Sequence, residues 1–141
     1  MLLVVAWACV KSLTLLRSII YYNTSYTFNN STECQTLQTL LTKTDIQCKI
    51  AKTHQLLCHL HDNQNSCINM AAKDVALIVD KINTVLEVII KKQEYHDTLY
   101  FAKWRTLDIV DDIKQLEDHI DIFKMRFDDL VQYIMISSVQ Q

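Results

Sequence analysis

The chain has 141 residues, carries a formal charge of −2 and contains neither glycine nor proline. Glycine supplies the positive φ angles of tight turns and proline ends helices, so this composition disfavours short-looped β-sheets and the glycine-rich loops that hold nucleotides. No basic stripe suited to nucleic acid stands out. Half of the residues are hydrophobic, which is enough for a packed core. The composition predicts an all-α domain with no cofactor and no nucleic acid or small-molecule substrate as a partner.

The N-terminal segment predicts export from the cell. An apolar run, Leu2 to Val10, is shorter than the roughly 20 residues that span a bilayer but has the length of a signal-peptide core. Ala6-Trp7-Ala8 supplies a small-x-small cleavage pattern. We therefore predict a signal peptide over 1–18, a polar segment over 19–32, a helical bundle over 33–141, and a secreted, extracellular protein. An amphipathic first helix is the alternative interpretation of the same run.

Sequons and cysteines agree with an extracellular domain. Three N-glycosylation sequons lie in the polar segment, with Asn23, Asn29 and Asn30 as acceptors. Four cysteines remain if Cys9 leaves with the signal peptide, and an even count in a small secreted domain predicts two disulfides. The four candidates are Cys34, Cys48, Cys58 and Cys67. All three pairings of these cysteines are open.

Apolar residues recur at helical spacing in the middle of the chain. They predict a helix over about 33–48, with a break at Thr44-Asp45, then an irregular link and a short helix before the loop 59–66. A broad stripe then predicts a long helix that ends near 93–98. Its members are Val75, Ile78, Val79, Ile82, Val85, Leu86, Ile89 and Ile90.

The last segment carries a strict heptad pattern. Its apolar positions are Ile109, Ile113, Leu116, Ile120, Phe123, Phe127, Leu130 and Ile134. We interpret them as the core-facing stripe of two consecutive helices of an intramolecular bundle, with a kink near Lys124 to Asp128, because the chain has other apolar faces that can cover them. One alternative is an intracellular helical protein that homodimerises through a coiled-coil seam at residues 109–134. Another is an incomplete product whose helices cannot bury one another.

Catalytic and metal-binding residues form no recognisable site in the sequence. The histidines and cysteines between His54 and Cys67 match no zinc signature, and in an oxidising compartment the thiols would form disulfides instead. The carboxylates between Asp108 and Asp129 lack the inward Glu-x-x-His pattern of a di-metal bundle. We therefore predict no metal site and no enzyme activity.

The middle of the chain resembles type I interferons, a family of secreted helical cytokines. CQTLQTLL (34–41) with DIQCKIAK (45–52) is similar to the first helix and following loop of that family, in which a basic residue follows a cysteine by four positions. Here that pair is Cys48 and Lys52. The segments 76–90, 104–123 and 124–134 look like the second helix, the third helix and the start of the fourth.

The resemblance implies an up-down bundle of the helical-cytokine type with about four helices, and antiviral or immune signalling. Its partners would be cell-surface cytokine receptor chains, contacted by Lys52 and His54 in the first long link and by Trp104 and Arg105 near the third helix. Lys52 stands where the family usually has Arg, which keeps the charge but loses the planar fork. The family's fifth helix has no counterpart before Gln141, so a truncated or decoy form is the alternative within the family.

Overall fold

Helices account for nearly all of the described structure. The computed structural model describes residues 2–25, 32–60, 65–98 and 107–139; within these ranges 95% of residues are helical and none lies in a strand. The helices are α1 (Leu2–Ser25), α2 (Thr32–Thr44), α3 (Ile46–His59), α4 (Ser66–Thr98) and α5 (Val110–Val139). The prediction of an all-α fold is confirmed, and the described residues form five helices where about four were predicted.

The break between α2 and α3 occupies a single residue. Asp45 has φ 51° and ψ 38°, in the left-handed helical region, and its N–H donates to the carbonyl of Thr42 at 3.2 Å. Asp and Asn tolerate this conformation better than other side chains, after glycine. The hydroxyl of Thr44 donates to the carbonyl of Leu40 at 2.7 Å, a local bond that competes with helix continuation. The predicted break is therefore confirmed, and the first of the two helices ends before Cys48. The irregular link predicted after residue 48 is wrong, because α3 is helical through that segment.

Polar contacts set the direction of α1 against α4. The amide nitrogen of Asn83 donates to the carbonyl of Ala8 at 3.1 Å, and the hydroxyl of Tyr22 donates to Asp97 at 2.9 Å. The contact nearer the N-terminus of α1 is also the one nearer the N-terminus of α4, so the two helices run parallel. Asn65 begins α4 by accepting hydrogen bonds from the backbone N–H groups of the first turn, as an N-cap residue does.

The remaining neighbours run antiparallel. Ion pairs join Lys92 to Asp112 at 2.7 Å and Arg126 to Asp74 at 3.9 Å, so α5 descends along α4. The C-terminal half of α1 shares a cleft with Ile46 at the start of α3, and α3 descends along α1. The four helices α1, α3, α4 and α5 therefore alternate in direction. Cytokine bundles of the growth-hormone kind run up-up-down-down with long crossovers instead.

The two predicted apolar stripes form much of the core. Seven of the eight stripe residues of α4 are buried and Ile90 is half-buried. Six of the eight heptad residues around α5 are buried, while Phe127 and Ile134 are half-buried. The rings of Phe123 and Phe127 stack with centroids 6.2 Å apart. The heptad stripe is thus covered by its own chain, as the intramolecular interpretation requires. The predicted kink near Lys124 to Asp128 is wrong, because α5 continues without a break through this segment.

The first helix belongs to the same core. Cys9, Leu16 and Ile19 are fully buried, and α1 packs against both α3 and α4. The hydroxyl of Ser12, also buried, contacts the amide oxygen of Asn83. The predicted boundary after residue 18 falls inside this continuous helix. Removal of residues 1–18 stays a prediction, and in this structure it would take three fully buried residues, Cys9, Ser12 and Leu16, out of the core.

None of the described helices combines the length and the apolar character that crossing a bilayer requires. This includes α1, where Lys11 and Arg17 interrupt the apolar sequence.

The burial of Leu16 gives a direct test of the role of α1. Leu16→Ala should lower the free energy of unfolding by about 2–5 kcal/mol, because it leaves a cavity among fully packed neighbours. Trp7→Ala on the same helix is the control, since Trp7 is 74% exposed, and should change stability by no more than about 0.5 kcal/mol. Chemical denaturation followed by circular dichroism measures both. Equal effects of the two substitutions would show that α1 does not pack into the bundle.

Candidate protein-binding surfaces

The described receptor candidates lie on α3. The buried side of this helix consists of Ile46, Ile50, Thr53 and Leu57. Lys52 is exposed and His54 is half-buried, so solvent reaches at least part of each side chain. No ion pair joins Lys52 to another described residue. Its ammonium group is therefore available to an anionic group of a partner.

His54 is next to a cysteine rather than next to a second candidate for receptor binding. Its Nε2 lies 3.7 Å from the Sγ of Cys58, one helical turn further along α3. A thiol is a weak donor and a weak acceptor, so this pair can share a proton but does not amount to a metal site. Within the described ranges, no three His, Cys, Asp or Glu side chains are arranged to hold a metal ion.

Trp104 and Arg105, the other two receptor candidates, lie outside the described residues. The same holds for the glycosylation candidates Asn29 and Asn30. The structure therefore places Lys52 and His54 together on one helix and leaves the contribution of the third-helix segment as a prediction.

Asn23, the remaining glycosylation candidate, joins three helices. Its amide nitrogen donates to Gln38 of α2 at 3.2 Å, and its amide oxygen accepts from Gln93 of α4 at 3.3 Å. An N-linked glycan attaches to the nitrogen that donates here, so glycosylation at Asn23 stays a prediction that requires this bond to rearrange. Sequence reasoning missed the chain of three amides. The available signal was Gln93, which follows Ile89 by four positions on the apolar stripe and is buried.

The cysteines do not meet in pairs. No two of them lie at disulfide distance. Cys34 is buried on α2, while Cys48 and Cys58 are exposed on α3 and Cys67 is exposed in the first turn of α4. Ten positions separate Cys48 from Cys58, which is about 15 Å along a helix, whereas a disulfide holds Cα atoms within about 7 Å. The two disulfides stay a prediction, and a Cys48–Cys58 bond would require α3 to unfold.

Cys9 has the most perturbed thiol. The pKa of Cys9 is raised to about 12, mainly because the thiol is buried and also because the nearby Cys58 and Asp80 disfavour a thiolate. The thiol is therefore protonated throughout the physiological range, and a protonated, buried cysteine reacts slowly.

A second surface was not predicted from the sequence. Large apolar side chains are exposed along one side of the α4–α5 pair, and we call this set the α4–α5 outer face: Met70, Leu77, Ile122, Met125, Tyr133 and Ile136. The ion pair between Asp74 and Arg126 lies among them and places the first half of α4 beside the second half of α5. A cleft of about 300 Å³ opens there, with Met70 and Tyr133 in its walls. Exposed apolar surface of this kind, rich in methionine, is typical of protein-binding sites.

Comparison with known proteins gives no relative. No protein family, curated protein or solved structure matches this chain. The similarity to type I interferons therefore rests on the pattern and spacing of the sequence.

The cysteine environments predict an order of reactivity. When the folded protein is treated with iodoacetamide near pH 8, Cys48, Cys58 and Cys67 should react first because they are exposed. Cys9 and Cys34 should react only after denaturant is added, since both are buried and the pKa of Cys9 is about 12. Peptide mass spectrometry of the alkylated chain measures each site. If the exposed three resist alkylation until a reductant is added, they are held in disulfides and this arrangement of cysteines is wrong.

Proposed function

We propose that this chain is a non-enzymatic helical protein that acts by binding another protein, and that the partner is a cell-surface receptor of the cytokine type. The observation that carries the proposal is that Lys52, the basic residue of the interferon-like pattern around Cys48, is exposed and has no ion pair to any described residue. Fixed surface charges without an intramolecular partner are suited to recognition, because they attract and orient a complementary surface. His54 lies two positions away on the same helix, at the edge of its buried side, so it does not share the exposed face of Lys52 and its contact with a receptor is a separate prediction.

Three features of the sequence support the extracellular form of this proposal. They are the apolar run at residues 2–10, the cluster of sequons and the interferon-like pattern around Cys48 and Lys52. A helical fold with a well-covered core agrees with a ligand that presents helix faces to its receptor. Interferon-type signalling and a decoy role both use the same first step, which is binding to the receptor.

Because α1 is buried in the bundle, cleavage of a signal peptide during export would change the core of the folded protein. If a signal peptidase removes residues 1–18, the mature chain must cover the surfaces of α3 and α4 that Cys9 and Leu16 occupy here. If the segment is retained, the bundle keeps its core, and export would have to proceed without cleavage. The length of the secreted chain distinguishes these two forms.

Replacing Lys52 tests the proposed contact. Lys52→Glu should weaken saturable binding of the labelled protein to the surface of responsive cells by about tenfold or more, because it puts a like charge opposite an acidic receptor surface. Lys43→Glu is the matched control: Lys43 is an exposed lysine on α2, and its replacement should leave binding unchanged. Flow cytometry measures binding, and circular dichroism verifies that both variants keep their helices. Equal affinity of the two variants would remove Lys52 from the contact.

Intact mass tests the extracellular form of the proposal. We expect protein recovered from the medium of expressing cells to be shortened at its N-terminus and to lose mass with a glycosidase. A gain of four protons on reduction would establish two disulfides. A full-length chain with reduced thiols and no glycan, found only inside cells, would contradict the cytokine proposal.

A further inference from the structure

The α4–α5 outer face differs in position and character from the α3 surface proposed for a receptor. Its six apolar residues are 38–66% exposed, and the Asp74–Arg126 ion pair and the cleft lined by Met70 and Tyr133 connect its α4 part to its α5 part. We infer that this face is a self-association surface, which packs against the same face of a second copy of this chain. The inference does not depend on the receptor proposal, because it uses other helices and another partner.

The area of the face is that of a dimer interface. At roughly 150 Å² for a large, fully exposed side chain, the six residues present on the order of 500 Å² of apolar surface. A stable interface buries about 800 Å² per partner, and about 60% of that area is apolar. The apolar part of a standard interface is therefore about 500 Å² per partner, so the face is large enough without any further element.

The surrounding charges disfavour nucleic acid and anionic lipid as occupants and are compatible with a second copy. Between the first and last residues of the face on each helix (70–77 and 122–136), three residues are basic and three are acidic. The basic residues are Lys73, Lys124 and Arg126, and the acidic residues are Asp74, Asp128 and Asp129. Their sum is zero, whereas surfaces that bind nucleic acid or anionic lipid carry a clear excess of basic residues. A two-fold interface brings the same patch together from both copies, and a patch with no net charge has no overall repulsion from its own copy.

The spacing along α5 gives the register of the pair. With a two-fold axis at Asp129 and the two α5 helices antiparallel, Ile122 lies opposite Ile136 of the second copy and Met125 lies opposite Tyr133 of the second copy. Asp129 lies midway along the sequence between Ile122 and Ile136, and also midway between Met125 and Tyr133, so one axis relates both pairs. The two Asp129 carboxylates then lie close to each other at the axis, with an Arg126 from each copy about one turn away. Asp129 is therefore the unfavourable contact of the dimer and Arg126 offsets part of its repulsion.

This register makes two opposite predictions for single substitutions. Met125→Glu should raise the dissociation constant of the dimer at least about tenfold, because it buries a charge in the apolar surface. Asp129→Asn should lower the dissociation constant, because it removes the like-charge contact at the axis. Both residues are exposed in the single chain, so neither change should alter its helicity or its melting temperature by more than a few degrees.

Sedimentation equilibrium of the full chain, from about 1 to about 100 μM, measures these dissociation constants in the range of weak dimers. Tyr21→Glu is the control, since Tyr21 is an exposed aromatic residue on α1 and lies outside the face. We expect a wild-type dimer, an unchanged Tyr21→Glu dimer, a weaker Met125→Glu dimer and a tighter Asp129→Asn dimer. A wild-type chain that stays monomeric at the highest concentration would overturn the inference and leave the face to a different protein. A dimer that responds equally to Met125→Glu and Tyr21→Glu, or that is weakened by Asp129→Asn, would also overturn it.

Discussion

The packing of α1 between α3 and α4 is the contact on which the rest of the bundle depends. Leu16 and Ile19 supply its apolar part, and the buried contact between Ser12 and Asn83 supplies its polar part. Apolar surfaces alone would let two parallel helices slide past each other. A buried amide has to meet its own partner or remain without a hydrogen bond, which costs about 1–3 kcal/mol. Asn83 therefore fixes the register of α1 along α4, and the position of α3 against α1 follows from it.

The periodicity of the sequence predicted the buried sides of the two long helices well, though not that α5 is a single helix, and the physical reason is simple. A helix that buries one side leaves apolar residues at steps of three and four, and α4 and α5 follow this rule over most of their length. The break at Asp45 was also predictable, since Thr and Asp compete for backbone hydrogen bonds. The role of α1 was not. A signal-peptide core and a buried helix are both short apolar runs, and residues 2–10 do not distinguish them.

Relations between helices were the least predictable part of the candidate sites. An even number of cysteines predicted disulfides, but whether two sulfur atoms meet depends on how helices pack, and here the cysteines lie apart. Lys52 was expected in a long link between helices, whereas the structure places it on the exposed side of α3. The α4–α5 outer face escaped notice because Asp129 interrupts its apolar spacing, and because the heptad on the opposite side of α5 gave the stronger signal. The amide contacts of Asn23 needed three helices to be in place at once.

Asp45 has a consequence for how this sequence can change by mutation. A chain without glycine must form its turns from residues that have a Cβ atom, and among the described residues Asp45 alone has a positive φ. Most side chains would cost about 1–2 kcal/mol in that conformation, whereas Asn costs little and glycine would remove the penalty. A mutation that replaces Asp45 with a residue other than Asn or Gly would loosen the angle between α2 and α3. Many exposed positions on either side accept substitution freely. Position 45 is thus a point of low mutational tolerance within an otherwise permissive surface.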